Sequence, residues 1–336
     1  MEDAILRVED LQAEFVTQDG IVKAVNRITL SLTRGNTLVI TGESGSGKST
    51  VGLAILNLLP HPGRIVNGRV LFKGRDLLAL TSEEMRRVRG KEIGIVFQDP
   101  STGLNPVLSV GQQVEEIITT HLDVSKREAR HRALEVLEQM GLPDPADVAK
   151  RYPFQLSGGM SQRVMIAIAT ALNPEVLILD EPTSALDVTV QAAILEDLKR
   201  HQQQTGTSIL LITHDLGVVA QMADDVVVMY AGHVAEYSNV AALFQSPRHP
   251  YTWSLLASRP RFDRDDRERL IAIRGAPPSL LDLPDECPFL PRCPKAVSIC
   301  RIEPAPALDA IDGEGHRVAC YNPMYIDDAP QAVSER

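Results

Sequence analysis

Gly42-Glu43-Ser44-Gly45-Ser46-Gly47-Lys48-Ser49 follows the apolar run Thr37-Leu38-Val39-Ile40 and has the spacing G-x-x-x-x-G-K-[ST]. A buried strand that ends in such a glycine-rich turn and opens a helix aims several backbone N–H groups at one point. The positive end of the helix dipole falls at the same point, and phosphate oxygens fit there. Gly45 and Gly47 would let the chain approach the phosphates, Lys48 would reach the outer ones, and the Ser49 hydroxyl would ligate Mg²⁺. Gly42, Ser44, Ser46 and Thr50 complete the candidate phosphate loop. The competing reading is a Gly/Ser-rich turn that ends by coincidence in Lys-Ser, and the strand in front argues against it.

A second apolar run, Val176-Leu177-Ile178-Leu179, reads as a parallel strand covered on both faces and ends in Asp180-Glu181. Carboxylates at the carboxyl end of a buried strand face the crevice where α/β sheets bind ligands. There Asp180 would hold the Mg²⁺ shell and Glu181 would polarise an attacking water. A solvated acidic turn before Pro182 would explain either residue alone, but not the pair.

Between these sites stands Leu156-Ser157-Gly158-Gly159-Met160-Ser161-Gln162-Arg163, before the apolar stretch Val164 to Leu172. A serine and two glycines opening a helix make a second anion site with no lysine of its own. This string resembles the signature motif of the ATP-binding-cassette (ABC) proteins. The resemblance implies that Ser157, Gly158, Gly159 and Met160 act on ATP held by the phosphate loop of a partner subunit. Met160 stands where many relatives have glutamine and cannot donate that amide hydrogen bond. The same resemblance assigns Gln98, after Ile93 to Phe97, to the Q-loop, touching Mg²⁺ and the attacking water. It makes Ser184-Ala185-Leu186-Asp187 the D-loop and His214 the switch histidine at the γ-phosphate. Phe15 reads either as a core residue of an amphipathic strand or as the aromatic that stacks on adenine.

The implied fold is α/β, a P-loop NTPase of the ABC type with an antiparallel β subdomain, a helical subdomain and a small Cys-containing C-terminal extension. Alternating polar and apolar residues from Ile5 to about Leu32, with Asp19-Gly20 as a turn, predict the β subdomain. Leu104 to Tyr152 carries helical periodicity, and its charged run Lys126 to Arg132 reads as a solvated helix face. The domain expectation is a nucleotide-binding domain over 1–245, with the helical part at about 99–172, and an extension over 246–336.

The net charge of −10, from 34 basic and 44 acidic residues, disfavours broad nucleic-acid binding. No stretch nears the roughly 20 apolar residues that span a bilayer, and no leader pattern opens the chain, so a soluble protein that stays where it is made is expected. Each motif occurs once. A second ABC ATPase subunit, identical or different, is therefore expected as partner.

Gln98-Asp99-Pro100 with Leu104-Asn105-Pro106, and Ser246-Pro247-Arg248-His249-Pro250-Tyr251-Thr252, resemble segments of dipeptide and oligopeptide importer ATPases. Cys287, Cys293, Cys300 and Cys320 are the only cysteines and point to metal rather than to disulfides in a cytosolic chain. Four thiolates suit Zn²⁺ or an iron–sulfur cluster, and four unligated thiols are a third option. Their spacing resembles the cysteine set with which those importers bind a [4Fe–4S] cluster.

The resemblance thus implies an ATPase subunit powering dipeptide or oligopeptide import, peripheral on the cytoplasmic face of the membrane. Its further partners would be two transmembrane permease subunits and an extracytoplasmic binding protein. Alternatives are a nickel, glutathione or oligosaccharide importer, a soluble ABC ATPase of DNA maintenance, or a regulatory module without turnover. The last would lack Glu181 or His214.

Overall fold

Alternation, apolar runs and capping residues set the elements in chain order. The computed structural model describes residues 3–325 except 185, 259–272, 312 and 314. β1 (Ala4–Thr17), β2 (Gly20–Thr33) and β3 (Thr37–Thr41) precede helix α1 (Lys48–Ile55), then β4 (Gly63–Phe72), β5 (Arg75–Asp76), α2 (Ser82–Val88) and β6 (Ile93–Val96). Helices α3 (Pro100–Gly103), α4 (Val110–His121), α5 (Lys126–Gln139), α6 (Pro145–Val148) and α7 (Gly158–Thr170) follow. The alternation resumes with β7 (Val176–Asp180), α8 (Val188–Thr205), β8 (Ser208–Ile212), α9 (Leu216–Met222), β9 (Asp225–Tyr230) and β10 (His233–Asn239). Then come α10 (Val240–Gln245), α11 (Pro250–Ala257), β11 (Asp309–Ala310) and β12 (Arg317–Val318). The chain forms two compact units.

One unit comprises Met1–Arg7, Ser31–Thr37 and Val70–Thr213. In it β6, β7 and β8 pair in parallel, with Val96 opposite Leu179 and Leu179 opposite Leu211. Every residue of β7 and β8 is buried, as continuous apolar runs require when both faces are covered. The helical part begins with α4, closed by a capping box between Ser109 and Gln112. On α5 the charged run is solvated while Ala129 and Ala133 are buried. Helix α7 buries Val164, Met165, Ile166 and Ala167 in succession. Its Arg163 is tied to Asp197 of α8 and to the Met140 carbonyl at the end of α5, a sheltered pair that locks three helices together.

The other unit comprises Val8–Leu30, Leu38–Arg69 and His214–Arg336. β3 lies parallel to β9, with Ile40 opposite Val227. β10 runs antiparallel to β9, and β12 and β11 continue the sheet outward. β1 and β2, joined by a two-residue turn, lie side by side and β1 also neighbours β4. The C-terminal segment is stitched in by main-chain bonds: Lys23 N–H donates to Leu280 O at 3.0 Å, Asp282 N–H to Ile21 O at 3.0 Å, and Ala319 N–H to Ala235 O at 2.9 Å. A fully buried Glu236 accepts from the N–H groups of Arg248 (2.7 Å) and His249 (2.8 Å) and pairs with His316 Nε2 at 2.7 Å.

Candidate functional site

The phosphate loop lies between β3 and α1. Its shape is forced at two glycines. A side chain at Gly42 (φ +144°) would meet the Met229 carbonyl at 2.1 Å, and one at Gly47 (φ +96°) would meet the Ala24 carbonyl at 2.1 Å. These glycines are therefore required by close backbone packing within the unit as well as by any phosphate. Ser44 and Gly45 are exposed at the tip while Ser46 is buried, its carbonyl accepting from Gly232 N–H at 3.0 Å. The Lys48 ammonium is turned back into the loop, donating to the carbonyls of Gly42 (2.9 Å) and Glu43 (2.8 Å). Only 6% of this lysine is exposed. Ser49 and Thr50 occupy the first turn of α1, which carries no acidic residue. An anion at this terminus would meet the positive end of the dipole and a sheltered cation.

In the same unit, Phe15 is half-buried on β1, its ring lying where a Gly63 side chain would meet it at 2.7 Å. His214 is exposed just before α9, which Asp215 caps through Gly217 N–H at 2.7 Å.

The other unit holds Gln98, the Asp180-Glu181 pair, the signature string and the D-loop string. The parallel register that sets Val96 beside Leu179 brings Gln98 and the pair Asp180-Glu181 to the same end of the sheet. Gln98 is exposed, whereas Asp180 and Glu181 are each 8% exposed. Glu181 adopts a left-handed backbone, φ +48°, fixed because its N–H donates to Ile212 O at 2.9 Å and its carbonyl accepts from Ser184 N–H (3.2 Å) and Oγ (3.0 Å). A non-glycine residue held there stores strain of order 1–3 kcal/mol, which Glu181 shares with eight other described non-glycine residues.

Ser157 caps α7, its Oγ accepting from Met160 N–H at 3.3 Å. Gly158 and Gly159 lie against the region after Glu181: side chains there would meet Leu186 at 3.8 Å and Val190 at 2.8 Å respectively. The structure thus brings the signature string and the D-loop string together. Asp187 caps α8 by accepting from Thr189 N–H (3.1 Å) and Val190 N–H (3.0 Å), and Ala185 lies outside the described residues.

Cys287, Cys293, Cys300 and Cys320 all line one cavity, of about 20 Å³, with Phe289, Lys295 and Asn322. Burial, with a smaller contribution from the neighbouring cysteines, raises the thiol pKa of Cys293 to about 11 and that of Cys320 to about 12. Among the described residues no group of three or more His, Cys, Asp or Glu side chains is placed to hold a metal ion. The donors fit a metallocentre in kind, four thiols converging on one space, but they are not drawn to the spacing of a single ion.

Several residues here escape a motif reading. Glu43 sits at a variable position of the loop, yet its N–H donates to Tyr251 Oη at 2.8 Å and its carboxylate is gripped by Arg292. Gln113 pins the segment after Gln98, accepting from Asn105 N–H at 2.9 Å and donating to the carbonyls of Asn105 and Leu108 at 3.1 Å each. The Glu43 partners are 208 and 249 residues away, beyond any local pattern, whereas those of Gln113 lie only five and eight residues back but in a loop with no periodic signal.

Residues 25–184 match the family described as "ABC transporter", and residues 235–300 match "Oligopeptide/dipeptide transporter, C-terminal region". The chain is 47% identical over 321 residues to the dipeptide transport ATP-binding protein DppD of Bacillus subtilis (strain 168), covering 95% of each chain. It is 50% identical over 296 residues to the oligopeptide transport ATP-binding protein OppD of the same organism, covering 88% of this chain and 83% of that one. Among solved structures, it is similar to the ATP-binding cassette MJ0796, a dimer in a post-hydrolysis state bound to ADP and Pi. That likeness has a TM-score of 0.64 at 30% identity and covers 70% of this chain and 98% of the other.

Proposed function

This chain belongs to the ABC transporter ATPases that carry the oligopeptide/dipeptide transporter C-terminal region, and from that premise we propose that it powers import of dipeptides or oligopeptides by binding and hydrolysing ATP. The observation that carries the reading is the phosphate loop, with the Lys48 ammonium sheltered against the Gly42 and Glu43 carbonyls at the start of α1. ATP phosphates would draw Lys48 from those carbonyls and take the loop amides. Ser49 and Asp180 offer the hard oxygen donors that Mg²⁺ takes. When bound, the ion neutralises phosphate charge.

In this reading Glu181 orients and polarises the attacking water, with Gln98 assisting, and His214 donates to the γ-phosphate. Ser157, Gly158 and Gly159 of a partner cassette close over the nucleotide, and Asp187 belongs to the loop that reaches toward the partner. The bonds of Glu181 to Ile212 and Ser184, which fix the backbone from which its carboxylate projects, support its role. Closure and reopening of the two cassettes is the motion passed to the permease subunits. With those subunits the chain would sit peripherally on the cytoplasmic face of the membrane, and substrate would arrive from an extracytoplasmic binding protein.

Glu181→Gln should bind ATP with near wild-type affinity, lose at least about a hundredfold in turnover, and accumulate as an ATP-bound dimer in size-exclusion chromatography with light scattering. Turnover near the wild-type rate would remove Glu181 from the mechanism.

The same reading gives the four cysteines a [4Fe–4S] cluster. Their convergence on one cavity supports it. Four thiols are a donor set that zinc would also take, so metal analysis decides between the two. Anaerobically purified protein should contain iron and sulfide at about four each per chain; a colourless, zinc-loaded protein would reverse the assignment.

A further inference from the structure

Glu43 is bound at all its polar groups. Its N–H donates to Tyr251 Oη at 2.8 Å, and its carbonyl accepts from Lys48 Nζ at 2.8 Å and from Ser46 N–H at 3.2 Å. Its carboxylate receives a forked pair from Arg292, Nη1 to Oε2 at 2.8 Å and Nη2 to Oε1 at 3.2 Å. Arg292 is itself fixed, donating from Nη1 to Tyr230 Oη at 3.0 Å and from Nε to the Arg274 carbonyl at 3.0 Å. The arginine side chain is 6% exposed and the glutamate 23%, so the pair escapes much of the screening that weakens surface ion pairs. Tyr230, Tyr251 and Phe289 form the wall behind it, with ring centroids 4.6 to 5.4 Å apart.

Arg292 closes a short 3₁₀ turn, Leu290–Arg292, and lies between Cys287 and Cys293. The C-terminal extension therefore reaches back to the second residue of the phosphate loop. We propose that Arg292, supported by Tyr230 and Tyr251, is a positioning residue for ATP. It fixes Glu43 and through it the carbonyl from which Lys48 departs and the run of amides that follows. The proposal rests on the reading of Gly42 to Ser49 as the phosphate site. A forked guanidinium–carboxylate pair sets direction as well as distance. Without it the loop must be ordered at the moment of binding, and that cost falls on nucleotide affinity.

The test compares Arg292→Gln, Arg292→Lys, Glu43→Gln and the double variant Arg292→Gln/Glu43→Gln in the full chain within its transporter complex. Thermal midpoint, ATP affinity, KM and kcat are measured for each. Arg292→Gln should raise the Kd and KM for ATP roughly tenfold with kcat within about twofold. Arg292→Lys, which keeps the charge and loses the fork, should fall between wild type and Arg292→Gln. The double variant should be no worse than either single one, since the two residues act as a unit. A lowered thermal midpoint with unchanged KM would make Arg292 a staple of the extension only and overturn the proposal, as would effects that multiply in the double variant. If Arg292→Gln does not fold, Glu43→Gln reads the same coupling from the loop side. Lys48→Ala separates the two levels: loss of ATP binding there with unchanged affinity in Arg292→Gln refutes positioning alone. Wild-type affinity in Lys48→Ala would refute the phosphate-loop reading itself.

Discussion

His249 shows how much one side chain is asked to do in a string that is recognisable but not explained by sequence. It is 4% exposed, donates its N–H to buried Glu236 at 2.8 Å and caps α11 by accepting from Tyr251 N–H on Nδ1 at 3.0 Å. That cap requires an unprotonated Nδ1, and burial lowers the imidazole pKa from 6.5 to about 4 against the opposing pull of Glu236. The unfolded chain takes up a proton near pH 6.5 that the native state refuses until about pH 4. The contribution of His249 to stability is therefore complete above about pH 6.5, declines as pH falls, and is lost below about pH 4. By pH 5 the loss amounts to about 2 kcal/mol. The single tryptophan, Trp253, lies on the same helix, so its fluorescence during urea unfolding reports the change locally. Between pH 7 and pH 5 the midpoint of the wild type should drop more than that of His249→Asn, whose side chain can cap without titrating. Equal drops in both proteins would remove His249 as the source.

At the scale of elements, legibility tracks the range of the interactions involved. β3, β7 and β8 could be read because every residue is buried, so a continuous apolar run is the whole signal. The phosphate loop and the signature helix were legible for a similar reason: glycines and a capping serine dictate a turn and a helix start within a few residues. The solvated face of α5 also follows from local pattern, with Ala129 and Ala133 as its buried stripe. What stayed hidden was built across sequence distance. Arg292 and Glu43 are 249 residues apart, and His316 and Glu236 are 80 apart. The Glu181 backbone is another case, since its φ of +48° is imposed by the bonds to Ile212 and Ser184 and not by a residue type that favours it. The phosphate-loop glycines add a further point, because Gly42 and Gly47 are held to glycine by the carbonyls of Met229 and Ala24, which no motif mentions.

At the scale of the whole molecule, the question is how a chain serving transport engages a membrane system. Among the described residues no helix is long and apolar enough to cross a membrane, and the net charge is −10, so attachment through anionic lipid is disfavoured. Attachment through protein is supported by the exposed apolar side chains of the helical part. Val107 and Phe154 are each 75% exposed, and Tyr152 stacks on Phe154 with centroids 5.7 Å apart. The backbone brings these segments alongside one another, since Val110 N–H donates to Arg151 O and Gly111 N–H to Ala149 O, both at 2.9 Å. Gln113 holds the Asn105 to Leu108 stretch that presents Val107. Exposed apolar side chains on a rigidly held segment mark a protein interface, and under the function proposed above its occupant would be a permease subunit. Val107→Asp and Phe154→Asp should each leave the thermal midpoint nearly unchanged, because an exposed substitution shifts stability by only about 0.5 kcal/mol. Each should cut the fraction of this chain that pellets with membranes containing the permease subunits, and the double variant should abolish it. A double variant that pellets as well as the wild type would place the docking surface elsewhere, because burying two carboxylates against an apolar partner cannot be neutral.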